Sequence, residues 1–299
     1  MSNFTVSPVA AINGNVATLE DQLKLGLKTY GQEVMKAFMR SSETKGRYME
    51  KTISSGKSAQ FPAFGRKEAS YHTRGQFLTG TDLNANERII NLDGNLISDS
   101  TIDNFEEAVA HYDVREPHTS ADGEAIALAM DTHMYATLLQ EARNATANVD
   151  GSGGAPSTGT GSSITNAAAL TDAAVIQSLF FEAGTKFDNN YVPQSNRMAH
   201  LTPGQVALLV ELAPRAIHKD FNGQGSVESG KIMQLNGFEI IKSVNWANNV
   251  VGKNIVASDP RAKYGVDATN SASLFTHKSA AGTVFLNGLQ VKVKKELKT

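Results

Sequence analysis

The stretch Ile53–Arg66, ISSGKSAQFPAFGR, carries only three large apolar side chains among Ser, Gly and Lys residues. After a glycine-bearing middle, Arg88–Ile97 alternates between apolar and polar residues, a pattern typical of a strand, with a turn at Asp93-Gly94 before Leu96. We therefore expect two long strands over residues 50–100, joined by an irregular tip. Because this region has too few apolar residues to bury a core, it should project from the body and pack on something else.

Gly56-Lys57-Ser58 has the look of a phosphate-binding loop, but the rest of that motif is missing. The motif needs a glycine five residues before Gly56, and that position is Lys51. Ser54 and Lys57 also match the serine–lysine nucleophile spacing, which requires a helical turn and partner motifs that this chain lacks. Both matches are interpreted as chance.

Outside this region, helical and strand patterns alternate, which predicts an α+β protein. Apolar stripes at three- and four-residue spacing predict helices over 18–42, 103–112, 119–146 and 168–187, and the pair Thr202-Pro203 starts another. Short apolar runs predict strands at 197–201, 237–244, 255–257, 273–277, 283–286 and 289–293. Residues 151–163, GSGGAPSTGTGSS, predict a flexible loop.

Composition argues against several functional classes. The formal net charge is −2, so the chain as a whole is not a nucleic-acid binder by electrostatics, although Lys292, Lys294, Lys295 and Lys298 make its last stretch basic. With no cysteine and no histidine pair at ligand spacing, we expect no metal site and no cofactor. We expect no signal peptide and no membrane span. An enzyme with a site assembled from distant residues is left open.

Five stretches, in fixed order, resemble the major capsid proteins of T-seven-type podoviruses. The first, Ile53–Arg66, resembles the extended-loop strand of that family. The second resembles the entry into the family's long spine helix, and the others resemble its central-domain pieces and late strands. These four are HYDVREPHTSADGEAIALAMD at 111–131, NNYVPQSNR at 189–197, NGFEII at 236–241 and LFTHKSAAGTVFLNGLQV at 274–291.

The resemblance implies the Hong Kong 97-type capsid fold, which is α+β. It implies an N-terminal arm at 1–47 and an extended β-hairpin loop at 48–100. It implies a peripheral domain with the spine helix at 101–150 and 270–299, and an axial domain at 151–269 that includes the loop 151–163. Inter-subunit contacts are expected from the extended loop, at Lys57, Phe61, Phe64, Arg66, Lys67 and Arg74. A loop near the capsomer axis is expected around Lys219, Asp220, Phe221 and Gly223.

A structural role follows from the resemblance, and no enzymatic one. It implies hexamers and pentamers that form an icosahedral head around double-stranded DNA, held non-specifically. It also implies a scaffolding protein, a portal at one vertex, and assembly in the bacterial cytoplasm. The alternative is a cellular nanocompartment shell protein of the same fold, which would hold an enzyme cargo and no DNA.

Overall fold

The computed structural model describes residues 32–39, 41–101, 115–212, 234–255 and 262–287. Most of the helix predicted over 18–42, the helix predicted over 103–112 and the strand predicted over 289–293 lie outside the described residues. The same holds for the basic C-terminal stretch and for Lys219, Asp220, Phe221 and Gly223. The described part contains both helices and strands, as the α+β prediction requires.

The described residues contain four named helices, of which three lie near predicted ones and the fourth, Val244–Asn249, was not predicted. They are α1 (Arg115–Ala142), α2 (Ala173–Asn189), α3 (Pro203–Leu212) and α4 (Val244–Asn249), and residues 32–39 are also helical. The long helix α1 has 28 residues and begins and ends about one turn earlier than predicted. Helix α2 begins where the Asp172 side chain accepts the backbone N–H of Ala174 at 2.8 Å, a normal N-cap.

The described residues contain ten strands. They are β1 (Met49–Ile53), β2 (Ser58–Phe64), β3 (Ala85–Asn91), β4 (Arg197–Leu201), β5 (Gln234–Leu235), β6 (Phe238–Lys242), β7 (Asn254–Ile255), β8 (Val266–Asp267), β9 (Leu274–His277) and β10 (Gly282–Leu286).

These strands form four small sheets. The β1–β10 pair is parallel, β2–β3 and β7–β8 are antiparallel pairs, and a four-stranded sheet has the order β5-β6-β4-β9. Short 3-10 turns lie at Ala262–Tyr264 and Lys278–Ala280.

The prediction of a strand over Arg88–Ile97 is wrong in its bounds, because β3 runs from Ala85 to Asn91. One further ladder bond follows, from the N–H of Leu92 to the carbonyl of Lys57 at 2.8 Å. The chain then leaves the ladder at Asp93, whose carboxylate accepts the Tyr264 hydroxyl and pairs with Lys263, both at 2.5 Å. The strand thus ends at the turn expected at Asp93-Gly94. The error lies in its start, which is three residues earlier than predicted, and in residues 95–97, which form no strand.

The described residues fall into two compact units. One contains helical residues 32–39 and α1 as far as Ala127, and the other contains 43–95 and the described residues from Leu128 to Leu286. In the first unit, a Cβ at Gly123 would lie 2.7 Å from the Cβ of Ala37, so only glycine permits this close helix packing. The domain boundaries expected from the resemblance remain a prediction.

The second unit has two apolar clusters. The aromatic cluster around Phe180 and Phe238 lies between α2, α3 and the four-stranded sheet, with edge-to-face rings at 6.1 Å. The other cluster contains Tyr135 of α1 and Trp246 of α4, whose rings also meet edge to face, at 5.4 Å. Edge-to-face packing suits the ring quadrupoles and adds to the area that the rings bury.

A buried polar network lies beside the Trp246 cluster. The carboxylate of Asp131 is fully buried and accepts hydrogen bonds from the backbone N–H of Glu43 (2.8 Å), the hydroxyl of Thr44 (2.5 Å) and the amide of Asn245 (2.6 Å). The Glu43 carboxylate in turn accepts the N–H groups of Val244 (2.9 Å) and Asn245 (3.3 Å) at the start of α4. Negative groups at a helix N-terminus are stabilising, so these bonds hold the segment around Glu43 against the start of α4.

His200 lies at the centre of the same network. Its ring is fully buried, with Nε2 2.8 Å from the hydroxyl of Tyr48 and Nδ1 3.2 Å from the hydroxyl of Tyr135. Burial lowers the pKa of His200 to about 3, with a smaller contribution from the charge of Arg47. The imidazole is therefore neutral at physiological pH, and it connects segments far apart in sequence.

Acid should destabilise the folded subunit through His200. The unfolded chain takes up a proton on this ring near the ordinary pKa of 6.5, whereas the folded chain does so only near 3. Between these values protons favour the unfolded state, so this stability is fully present above the unfolded pKa and is lost as pH falls. From pH 7 to pH 5 the loss in unfolding free energy should be about 2 kcal/mol, measurable by urea denaturation.

The matched variant is His200→Asn, which should be less stable than the natural chain at pH 7 but should lose less stability on acidification. Equal losses in the two proteins would show that another group carries the acid sensitivity.

Candidate assembly surface

The base of the β2–β3 hairpin is packed against its own subunit. On its inward face Phe61 is only 8% exposed, and a Cβ at Gly282 would lie 3.0 Å from the Phe61 ring and 3.3 Å from Ile90. The Lys51 ammonium sits over the Phe61 ring, 4.6 Å from its centroid. Strand β10 thus has a glycine at the position that contacts the Phe61 ring, where a larger residue would crowd the ring.

The free edge of β2 is partly closed. Backbone groups of Lys57 and Gly65 bond to β3, so those of the even-numbered residues between them point away from it. One of these residues, Pro62, has no N–H to offer. The outward carbonyl of another, Gln60, accepts the side chain of Lys51.

The outer face and tip of the hairpin are exposed, although they carry several large apolar side chains. Pro62, Phe64, Ala85, Asn86 and Glu87 line a shallow open groove of about 330 Å³. The exposed apolar side chains of the face and tip are Phe64 (64%), Tyr71 (104%), Phe77 (98%), Leu78 (83%), Leu83 (50%) and Ile89 (52%). We call Tyr71, Phe77, Leu78 and Leu83 the tip cluster. Large exposed apolar patches of this kind mark interaction sites.

Residues 60–299 match the family model described as "Gp10A-like: Major capsid protein". The chain belongs to this family. It is 34% identical over 297 residues to the major capsid protein of Escherichia phage T7, covering 93% of this chain and 85% of that protein. The major capsid protein of Enterobacteria phage T3 is 33% identical over 304 residues, with the same shares covered. The resemblance noted in the sequence is therefore confirmed.

Solved structures give the same result for the fold. The capsid structure of the Cyanophage P-SCSP1u is similar, with a TM-score of 0.68 and 30% identity, covering 82% of this chain and 75% of that one. The mature capsid of bacteriophage PhiM1 has a TM-score of 0.60 at 15% identity, covering 81% and 74%, which supports the fold alone. This Gp10A-like protein has the Hong Kong 97-type capsid fold.

Family membership confirms that the chain is a structural capsid protein, one that associates with itself in the capsid of a virion, and not an enzyme. The nanocompartment alternative is not favoured, because the matching family and the curated relatives are phage capsid proteins. Over the described ranges, no helix is long and apolar enough to span a bilayer. Over the same ranges, no group of three or more acidic or histidine side chains is placed to hold a metal ion.

The six predicted contact residues lie along the hairpin and its tip, and the structure uses some of them within the subunit. Phe61 is buried there, as described above. The Arg66 guanidinium stacks over the ring of Tyr191 at 4.1 Å and donates to the Tyr191 carbonyl at 3.0 Å. These two side chains thus make contacts within the subunit, and the inter-subunit role expected for them stays a prediction.

The other predicted contact residues are directed to solvent. Phe64 is 64% exposed on the outer face, and Lys57 is exposed at the start of β2. Lys67 is exposed and donates to the carbonyl of Thr81 across the tip, while Arg74 lies in an exposed turn of the tip.

Two functional features were missed from the sequence. The tip cluster was not singled out, although the unpatterned Phe77-Leu78 pair in a glycine-bearing stretch was a visible signal. The stretch 151–163 was predicted to be a flexible loop, yet Ser152 within it is 5% exposed and hydrogen-bonded to both legs of the hairpin. Its Gly- and Ser-rich composition gave no sign of this packing.

Replacing Gly282 with valine should loosen the hairpin base. The new side chain would enter the space of the Phe61 ring, 3.0 Å from the glycine's missing Cβ, and such overpacking costs about 1–3 kcal/mol. Hydrogen exchange should therefore quicken in β2 and β3, and the urea midpoint should fall.

The control is Gly80→Val, since a Cβ at Gly80 would meet nothing within 4 Å. If Gly282→Val exchanges like the control, the Phe61–Gly282 contact does not hold the hairpin.

Proposed function

We propose that this protein self-assembles into hexamers and pentamers that form the icosahedral head of a short-tailed phage around double-stranded DNA. The observation that carries the proposal is the tip cluster: four large apolar side chains, half to fully exposed, on a hairpin whose base is packed. A stretch of this kind is costly in an isolated subunit and becomes favourable when a neighbour covers it.

The apolar side chains should supply most of the contact energy. Burying a large apolar side chain such as Phe77 stabilises an association by about 1.5–3 kcal/mol, and the few largest anchors dominate an interface. Tyr71 and Phe77 are the largest members of the tip cluster, and Phe64 extends the apolar surface along the outer face. We therefore assign the anchor role to these three aromatic rings.

The basic side chains should contribute orientation and specificity more than affinity. Lys57, Lys67 and Arg74 are exposed around the hairpin and could pair with carboxylates of a neighbouring subunit. An exposed ion pair contributes only about 0–1 kcal/mol, whereas mispaired like charges oppose a wrong register. Arg66 remains a partial candidate because Tyr191 already holds its guanidinium.

The domain assignment follows the family pattern. We assign residues 1–47 to the N-terminal arm, 48–100 to the extended loop, 101–150 and 270–299 to the peripheral domain, and 151–269 to the axial domain. The loop around Lys219, Asp220, Phe221 and Gly223 would then lie near the capsomer axis.

The remaining partners come from the same family pattern. A scaffolding protein would direct assembly in the host cytoplasm, a portal would occupy one vertex, and DNA would be held non-specifically. The net charge of −2 supports confinement of the DNA by the shell over tight binding to its subunits.

The tip is the sharpest test of the proposal. Replacing residues 70–80 with a Gly-Ser linker of equal length removes three of the four tip-cluster side chains but leaves β2, β3 and the Phe61 contact in place. We expect a soluble subunit with unchanged unfolding that forms no closed shells when expressed with the scaffolding protein of its virus. Electron microscopy and sedimentation measure the shells, and unfolding is followed by urea denaturation.

The matched control is Gln76→Ala, which changes an exposed polar residue of the tip with no assigned contact and keeps all four tip-cluster side chains. Normal shells from the linker variant would refute the role of the tip. In infected cells, particles of the natural chain should protect DNA from nuclease, and empty particles carrying an enzyme cargo would instead support a nanocompartment.

A further inference from the structure

We propose that residues 148–158 are a strut that fixes the direction in which the hairpin leaves the subunit, and that this direction determines whether shells close correctly. The inference rests on the proposed function, because a direction matters only if the hairpin contacts a neighbour. It assigns a positioning role to Ser152, Asn84 and Asn86, none of which needs to touch that neighbour.

Ser152 bonds to both legs of the hairpin at the point where the tip begins. Its backbone N–H donates to the carbonyl of Arg66 at 2.8 Å, and its carbonyl accepts the N–H of Glu68 at 3.2 Å. Its hydroxyl accepts the backbone N–H of Asn84, on the returning leg, at 2.9 Å. With a side chain only 5% exposed, Ser152 is inserted between the outgoing and returning chains.

Two asparagine side chains on the returning leg bond back to the strut. The Asn84 amide donates to the carbonyls of Asp150 at 3.2 Å and Gly151 at 3.4 Å, and the Asn86 amide donates to that of Asn148 at 3.0 Å. The asparagine residues thus occupy positions where their donors meet strut carbonyls that would otherwise bond only to water.

Glycine at both ends of the contact allows the backbones to approach. A Cβ at Gly65 would lie 2.7 Å from the carbonyl oxygen of Asp150. Three residues beyond the strut, a Cβ at Gly161 would lie 2.1 Å from the carbonyl oxygen of Glu141, just before the end of α1. Gly65 and Gly161 therefore permit close backbone packing, by which this segment connects the hairpin to the C-terminal end of α1.

The strut restricts the bending of the two-stranded hairpin. An isolated pair of strands is marginally stable and free to bend and twist, so it cannot by itself present a tip at a fixed angle. Support at Ser152, together with the Arg66–Tyr191 contact, holds the two strands where the tip begins. Preorganisation of this kind lowers the ordering cost of association, and closed assemblies require contacts at defined angles.

The test uses the full chain with the double substitution Asn84→Ala and Asn86→Ala. Both side chains are exposed, so their removal leaves only groups that water can reach, namely loop carbonyls and the N–H of Glu87, which Asn86 Oδ1 accepts at 2.9 Å. It should therefore not impair folding. We expect hydrogen exchange in residues 65–91 of the subunit to quicken roughly threefold to tenfold. With the scaffolding protein of its virus, we expect misshapen or open particles in place of uniform shells, while capsomers still form.

Ser152→Ala is the second variant, because it removes the buried acceptor of the Asn84 N–H by an independent route. Its control is Ser157→Ala in the same segment, since the Ser157 hydroxyl bonds only within the segment, to Asp150 at 3.1 Å. Asn91→Ala, at the far end of β3, is the control for the asparagine variants. Both controls should give normal exchange and normal shells.

The outcomes separate the two hypotheses. If the natural chain forms no shells, the proposed function fails, and the inference fails with it. If it forms shells and the two strut variants (the double asparagine variant and Ser152→Ala) form the same shells, only the inference is overturned, whether or not their hairpins exchange faster. Faster hydrogen exchange with misshapen particles in both strut variants, and in neither control, supports the strut.

Discussion

The carboxylates of Glu43 and Asp131 hold together the centre of the larger unit. Asp131 lies in the long helix. Its carboxylate accepts the backbone N–H of Glu43, where the segment that leads into the hairpin begins, and the side-chain amide of Asn245 at the start of α4. Removing one buried acceptor from such a network costs more than the bonds themselves, because the remaining donors are left unsatisfied. The position of β1, and through it of β10 and the hairpin, depends on this junction.

The hairpin divides its apolar residues between two uses. Phe61 points inward and packs within the subunit beside Gly282, whereas Phe64, three residues later, points outward and is exposed. This division follows from the two-residue period of a strand, which sends odd and even positions to opposite faces. One short strand thereby stabilises the subunit through one face and leaves the other face free for the contacts that we propose with neighbours.

The sequence was sufficient for the family and for the longer helices, but it misplaced β3, missed α4 and indicated few of the contacts. Low apolar content predicted a hairpin that projects, and the periodicity of α1 gave its length to within a turn. His200 could not be placed in a network, because Tyr48 lies 152 residues away and only the folded sheet brings the two together. The packing at Ser152 was missed for a related reason: a Gly- and Ser-rich stretch predicts a flexible loop unless its partners are known.

The candidate surface shows the same limit. The resemblance to the family's extended loop implied Phe64, Lys67 and Arg74 as contact residues, and the structure has all three exposed. Arg66 has equal charge in the sequence but is held by Tyr191, whose backbone takes the left-handed conformation with φ of 56°. A bulky residue rarely adopts that conformation, so nothing in the local sequence announced the contact.

The partly closed edge of β2 bears on how such a subunit survives at high concentration before it is built into a shell. An exposed strand edge invites pairing with any other strand, which is a common route to aggregates. Here Pro62 withholds a donor and Lys51 covers the carbonyl of Gln60, so the outward edge offers a broken ladder. The hairpin can therefore bind through its exposed side chains, while its backbone edge does not readily pair with other strands.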